Sequence, residues 1–161
     1  MTIVAQVIKN KSEQAIFTIS PEATVLEAIT IMAEKGIGAL VVAEGEQVVG
    51  ILSERDYTRK VTLMERSSYS TTVAEIMTAK VITVGLNNTV EECLQLMTDR
   101  HLRHLPVLDN GKLVGFISIG DLVKAAMEDQ KVLIEQLKQY IRPLAKVVIA
   151  SSSDLPVQRL S

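Results

Sequence analysis

Two seven-residue segments carry the side chains best suited to chemistry in this chain, Gly50-Ile-Leu-Ser-Glu-Arg-Asp56 and Gly115-Phe-Ile-Ser-Ile-Gly-Asp121. In each, an apolar run ends at a serine, and an aspartate follows three residues later. A strand that ends at the serine and a helix that starts just after it bring a hydroxyl, free backbone N–H groups and a carboxylate to one place. Ser53 with Asp56, and Ser118 with Asp121, then suit a nucleotide: the N–H groups and hydroxyl bind phosphate, and the carboxylate accepts hydrogen bonds from a ribose diol. The same S-x-x-D spacing is also a variant capping box that serves only to start the helix. The two roles are compatible, because a cap hydroxyl satisfies only one of the exposed donors.

Catalysis finds little support. Two histidines and one cysteine leave no metal-ligand cluster, and neither a G-x-S-x-G nor a Walker-type segment is present. Asp56 and Asp121 belong to different copies of a repeat, so nothing suggests the close carboxylate pair of a glycoside hydrolase. No catalytic residue and no protein-held metal is expected.

The elements that position these groups are written twice. Residues 16–60 align without a gap onto residues 81–125, at a constant offset of 65 and with eleven identities in 45 positions. Thr18 pairs with Thr83, Thr24 with Thr89, Leu40 with Leu105, Gly50 with Gly115, and Asp56 with Asp121. Two copies are too few for a solenoid. They suit a compact pair with a ligand cleft between its halves.

Each copy starts with a short β-rich run, Ile16 to Ile19 or Val81 to Val84, followed by turn residues. A helix follows, opened by Thr24 with Glu27 or Thr89 with Glu92 as a T-x-x-E capping box worth about 1 kcal/mol. Val25, Ala28, Ile29 and Met32, and Val90, Cys93, Leu94 and Met97, form one apolar stripe per helix. Ala39 to Ala43 with Gln47 to Leu52, and Leu105 to Leu108 with Lys112 to Ile117, form hairpins. A second helix starts near Ser53 and Ser118, so each unit is β-α-β-β-α.

Val73 to Met77 forms a short helical turn before the second copy, with Ile3, Val4, Val7 and Ile8 as its counterpart before the first. After Asp121 the helical pattern continues through Leu133, Leu137 and Ile141 and is expected to stop at Pro143. This overhang has an apolar side that needs a partner, and a homodimer contact is favoured. The tail from Leu144 is compatible with a frayed end or an edge strand.

Composition narrows the alternatives. Hydrophobic residues make up 47 % of the 161, yet aromatic residues only 3 %, so aromatic base-stacking platforms are scarce. A net charge of −2 gives no global field attracting nucleic acid or anionic lipid. The single cysteine, Cys93, belongs to a helix's core side. The start lacks a signal peptide's apolar run and no stretch approaches 18 apolar residues, so a cytoplasmic protein without a membrane partner is expected.

The doubled β-α-β-β-α unit, the two G-h-x-S-x-x-D segments, the Thr18 and Thr83 strand segments and Leu102-Arg-His-Leu-Pro-Val107 resemble the cystathionine-β-synthase (CBS) domain family. The likeness is to a tandem pair, often called a Bateman module, and spans about residues 1–141. It implies an α+β fold of two pseudo-symmetric units packed through their sheets, with an extended C-terminal helix. The implied division is unit 1 over 1–66, a linker over 67–72, unit 2 over 73–128, an overhanging helix over 129–142 and a tail, flexible or not, over 143–161.

The resemblance also implies two clefts for an adenosine-containing ligand: AMP, ADP, ATP or NAD, with S-adenosylmethionine less favoured. Asp121 resembles the ribose-binding carboxylate of one cleft and Ser118 its phosphate-side hydroxyl. Adenine would be held there near Val81, Ile82, Thr83 and Leu105, with Arg103 and His104, beside Pro106, in phosphate-contacting positions. Asp56, Ser53, Ile16, Phe17, Thr18 and Leu40 are the equivalents for the other cleft. The first copy has Gly38 and Ala39 where the second has Arg103 and His104, so the clefts are expected to be unequal, with Arg55 and Arg59 as compensating cations near Asp56. His101 is expected to be an exposed residue at a helix end.

A basic pair favours a phosphorylated ligand through charge-assisted hydrogen bonds. The only metal implied is a magnesium ion accompanying a nucleotide. The function expected is a non-catalytic adenine-nucleotide sensor acting through a homodimer or a regulated protein that the sequence does not identify. The alternative is a structural or partner-binding module whose S-x-x-D segments only cap helices.

Overall fold

The computed structural model describes residues 1–11 and 15–152, with side chains described as far as Ile141. In the first repeat, β1 (Thr18–Ile19) leads to α2 (Val25–Lys35), β2 (Ala39–Glu44), β3 (Gln47–Ser53), α3 (Glu54–Tyr57) and a π-helical turn over Thr58–Thr62; α1 (Val4–Asn10) precedes them. The second repeat has α4 (Val73–Ile76), α5 (Val90–Arg100), β4 (His104–Asp109), β5 (Lys112–Ser118) and α6 (Ile119–Ser152). The Thr24 and Thr89 hydroxyls accept from the N–H groups of Glu27 (3.2 Å) and Glu92 (3.1 Å), starting α2 and α5 as expected. At Thr24 only this half of the predicted capping box is made. Both helices end in a left-handed residue, Gly36 or His101.

The hairpins β2–β3 and β4–β5 are superimposable in register. Ala39 faces Ser53 and His104 faces Ser118, and each ladder slips once, between Val42 and Ala43 or between Val107 and Leu108. Two-residue turns close them, with positive φ at Gly45, Asn110 and Gly111 as the mirror-image hairpin turns require. The expected strand over Ile16 to Ile19 shortens to Thr18–Ile19, parallel to β2. Its counterpart over Val81 to Val84 contracts further, to one parallel bridge between Val84 and Val107. The physical reason is Pro106, which stands where the first copy has Val41 and offers no N–H to a neighbouring strand.

Two cores result. Ile19, Val25, Ala28, Met32, Leu40, Val42 and Leu52 build the first, and Val84, Val90, Cys93, Met97, Leu105, Val107, Ile117 and Leu122 the second. Strand alternation sends Ala39 and Val41 to the opposite face of the first sheet, where they too are buried. Pro106 is buried on the matching face of the second, and β3 touches β5 between the units. The units therefore pack through their sheets, as the resemblance implied.

The leading helices cross over. Val4 and Val7 of α1 enter the core of the second repeat, while Val73 and Ile76 of α4 enter that of the first. Backbone bonds fix both in the same way: Val4 N–H to Asn88 O (2.9 Å) and Val90 N–H to Thr2 O (3.0 Å) match Val73 N–H to Ala23 O (2.8 Å) and Val25 N–H to Thr71 O (2.9 Å). The approach is so close that a Cβ on Gly50 would lie 2.6 Å from Met77 Sδ, and one on Gly115 2.5 Å from Ile8 Cδ1.

Contrary to the expected stop at Pro143, α6 continues to Ser152. A proline removes one helical N–H, and the ladder resumes on the residues after it. Of the tail, residues 153–161 lie outside the described residues, and the frayed or strand readings made for them with it. No helix among the described residues is long and apolar enough to cross a membrane.

Candidate functional site

The Ser-Asp pairs sit where their strands hand over to helices, and each forms a complete capping box. Asp56 Oδ2 accepts from the Ser53 N–H (2.9 Å) and hydroxyl (3.1 Å), while the Asp56 N–H donates back to Ser53 Oγ (3.3 Å). Asp121 Oδ2 accepts from the Ser118 N–H (2.8 Å), and the Asp121 N–H donates to Ser118 Oγ (3.2 Å). Capping uses one carboxylate oxygen, so Asp121 Oδ1 carries no hydrogen bond or ion pair among the described residues.

Each pair opens onto a cleft completed by the other repeat. The Asp121 cleft has a volume of about 480 Å³. Ser118, Asp121, His104 and Phe116 come from the second repeat, while Ile16, Phe17, Gly38 and Ala39 come from the first. Thr2 and Lys11 enter from the N-terminal segment, and Lys124, Glu128 and Asp129 from α6. Lys11 Nζ lies 3.0 Å from Asp121 Oδ2 and donates to the Phe116 carbonyl at 2.8 Å. Burial works against the Asp121 charge, but the Ser118 N–H and Lys11 outweigh it and hold the carboxyl below the usual carboxylate range. Asp129 Oδ1 accepts from the Thr2 hydroxyl, while Oδ2 is buried with no hydrogen-bond partner among the described residues.

The Asp56 cleft, about 300 Å³, has the opposite lining. Ser53, Asp56, Glu54, Arg55 and Arg59 face Thr78, Lys80, Ile82, His101, Leu102 and Arg103 of the second repeat. Arg55, Arg59, Lys80 and Arg103 are exposed and form no ion pair among the described residues. Lys60, one turn past Asp56, lies 3.6 Å from its Oδ1 and also donates to the Ile76 carbonyl at 2.9 Å.

Grouping within a single repeat, as the sequence suggested, is therefore replaced by grouping across repeats. Ile16 and Phe17 meet Asp121, not Asp56, and Ile82 and Arg103 meet Asp56, not Asp121. His104 borders both clefts. Burial pushes its pKa below the ordinary histidine value despite Asp121, so at neutral pH it is an uncharged ring, stacked on Phe116 at 5.3 Å. Leu40 and Leu105 are fully buried in the two cores and Pro106 is buried between the units. Thr18, Thr83 and Val81 line neither cleft. The clefts are unequal as expected, but the basic one is that of Asp56.

Lys11, Lys80, Lys124, Phe116 and Asp129 were not anticipated as site residues. A signal for two of them exists in the sequence at a second offset, 69, which pairs Val4, Val7, Ile8 and Lys11 with Val73, Ile76, Met77 and Lys80. Cys93 is core, its thiol pushed up to about 11 by burial and then by Glu92. Among the described residues no group of three or more His, Cys, Asp or Glu side chains is placed to hold a metal.

A family model described as CBS domain matches residues 8–62 and 73–128. The chain is 39 % identical over 149 residues to the CBS domain-containing protein CBSX3, mitochondrial, of Arabidopsis thaliana, covering 88 % of this chain and 72 % of that one. It is 55 % identical to a putative signal-transduction protein with CBS domains from Burkholderia ambifaria MC40-6, with a TM-score of 0.77 over 80 % of this chain and 96 % of that one. The CBS domain pair of protein MJ0100, solved with 5′-methylthioadenosine and S-adenosyl-L-methionine, shares the fold at 22 % identity, with a TM-score of 0.69 over 80 % of this chain and 98 % of that one. The chain thus belongs to the CBS domain family and carries two copies of the domain.

Proposed function

We propose that this protein is a non-catalytic regulatory module that binds adenosine-containing ligands in its two inter-repeat clefts and signals through a homodimer or a regulated partner. The observation that carries this reading is the composite build of each cleft. A Ser-x-x-Asp corner from one repeat faces apolar residues of the other, Ile16 and Phe17 or Ile82 and Leu102, so a ligand's ribose and base would join the two halves. The ligands of the MJ0100 pair, both adenosine compounds, support the same class. Within that class AMP, ADP, ATP and NAD are proposed, together with any magnesium they bring. The site residues proposed are those that line the clefts, above all Asp56, Asp121, Ser53 and Ser118. A cytoplasmic location belongs to the proposal, although the Arabidopsis relative is named as mitochondrial.

Regulation requires that the ligand bind one arrangement of the module more tightly than another, since equal affinity shifts nothing. Lys11 supplies a lever: it ties Asp121 to the end of α1, so a ribose that takes over the carboxylate would act on that helix's anchorage. The two capping boxes favour a second reading, a structural interaction module with unused clefts. Calorimetric titration with AMP, ADP, ATP, NAD and S-adenosylmethionine separates the two. Saturable binding that weakens in Asp56→Asn or Asp121→Asn is expected; no heat with any of the five at millimolar concentration leaves only the structural reading.

A further inference from the structure

The two clefts are related by the repeat, yet their charges differ at two of four matched basic positions and in how the other two are engaged. Arg103 and Arg55 of the Asp56 cleft correspond, at the offset of 65, to Gly38 and Gly120. Arg59 corresponds to Lys124. Lys80 corresponds to Lys11 at the offset of 69, and Lys11 is already engaged by Asp121 and the Phe116 carbonyl. The Asp56 cleft therefore gathers four cations that are unpaired among the described residues against Glu54 and Asp56. Among the described residues, Lys124 is the one unengaged cation lining the Asp121 cleft, where Glu128 and Asp129 stand at positions occupied in the first repeat by Leu63 and Met64.

Charge-assisted bonds from Arg and Lys to phosphate oxygens are about twice as strong as neutral ones, and a cleft lined by one sign of charge concentrates ligands of the other. A phosphate placed in the Asp121 cleft would instead face the carboxylates of Asp121, Glu128 and Asp129. That lining favours a ligand without negative charge.

We infer that the clefts sort adenosine ligands by charge: the Asp56 cleft takes the phosphorylated nucleotide, and the Asp121 cleft takes an adenosine compound without phosphate, its 5′ substituent neutral or cationic. This rests on the adenosine-binding reading above. For the Asp121 cleft it departs from the preference expected from sequence, which placed the Arg103 and His104 basic pair there; Arg103 lines the Asp56 cleft instead.

Titration with ATP and 5′-methylthioadenosine, alone and each in the presence of the other, tests the sorting. Wild type binds one of each without competition. Arg103→Ala combined with Lys80→Ala weakens ATP at least tenfold and changes methylthioadenosine less than twofold; Asp121→Asn does the reverse. Mutual competition, or one variant weakening both ligands alike, overturns the sorting while leaving adenosine binding intact. Failure of both compounds to bind wild type removes the adenosine reading and the sorting with it.

Discussion

Asp56 and Asp121 each use Oδ2 to begin a helix, and at Asp56 the other oxygen faces Lys60 at 3.6 Å, so the proposed binding role competes with a lysine at Asp56 and falls on a different atom from the cap. His104 gives the residue scale a pH signature. Burial lowers its folded-state pKa, so the folded protein binds this proton less readily than the unfolded chain does. Its contribution is fully present above the unfolded value near 6.5 and is lost as pH falls through the lowered folded value. Asp121, also lowered, adds a loss at more acid pH, below the usual carboxylate range. A melting-temperature series should therefore decline between neutrality and mild acid, and His104→Gln should flatten that decline while leaving the more acid loss. A series that declines identically in the variant would contradict the assignment. The S-x-x-D pairs were legible because their chemistry is local. Asp129 was not, because an exposed-looking acid on a long helix acquires meaning only when Thr2 and the cleft are brought against it.

At the scale of elements, the offset of 65 exposed the hairpins and the long helices, whose periodicity and turn residues act within a few positions. It did not show that α1 and α4 exchange units, since a seven-residue helix carries no mark of which core receives it. The glycines of the repeated motif record that exchange. A Cβ added to Gly50 would meet Met77 and, at 3.1 Å, the Thr78 carbonyl oxygen, a backbone atom that yields less readily than the end of a side chain. Gly50→Ala should cost about 1–3 kcal/mol by overpacking, measured by denaturant unfolding. A neutral effect would mean that α4 is not seated against the sheet as described. Pro106 makes the complementary point: sequence predicted equal first strands, and one residue without an N–H shortened the second.

At the scale of the molecule, α6 carries Val123, Met127, Ile134, Leu137 and Ile141, all 42–56 % exposed. Their spacing of four, seven, three and four residues is that of a heptad seam. A helix of 34 residues, roughly 50 Å long at 1.5 Å per residue, offers that seam to a second copy. Ile134→Glu with Leu137→Glu should halve the mass measured by light scattering without changing ligand affinity, since neither residue lines a cleft; an unchanged mass would locate any dimer contact elsewhere. At this scale too, each proposed binding site is shared between repeats. This sharing is tested most directly by following backbone amide resonances during titration with 5′-methylthioadenosine. Ser118 and Asp121 should shift together with Ile16, Phe17 and Ala39 of the other repeat and with Lys11. Shifts of Ser118 and Asp121 accompanied by Ile82 and Thr83, with Ile16 and Phe17 unmoved, would contradict it.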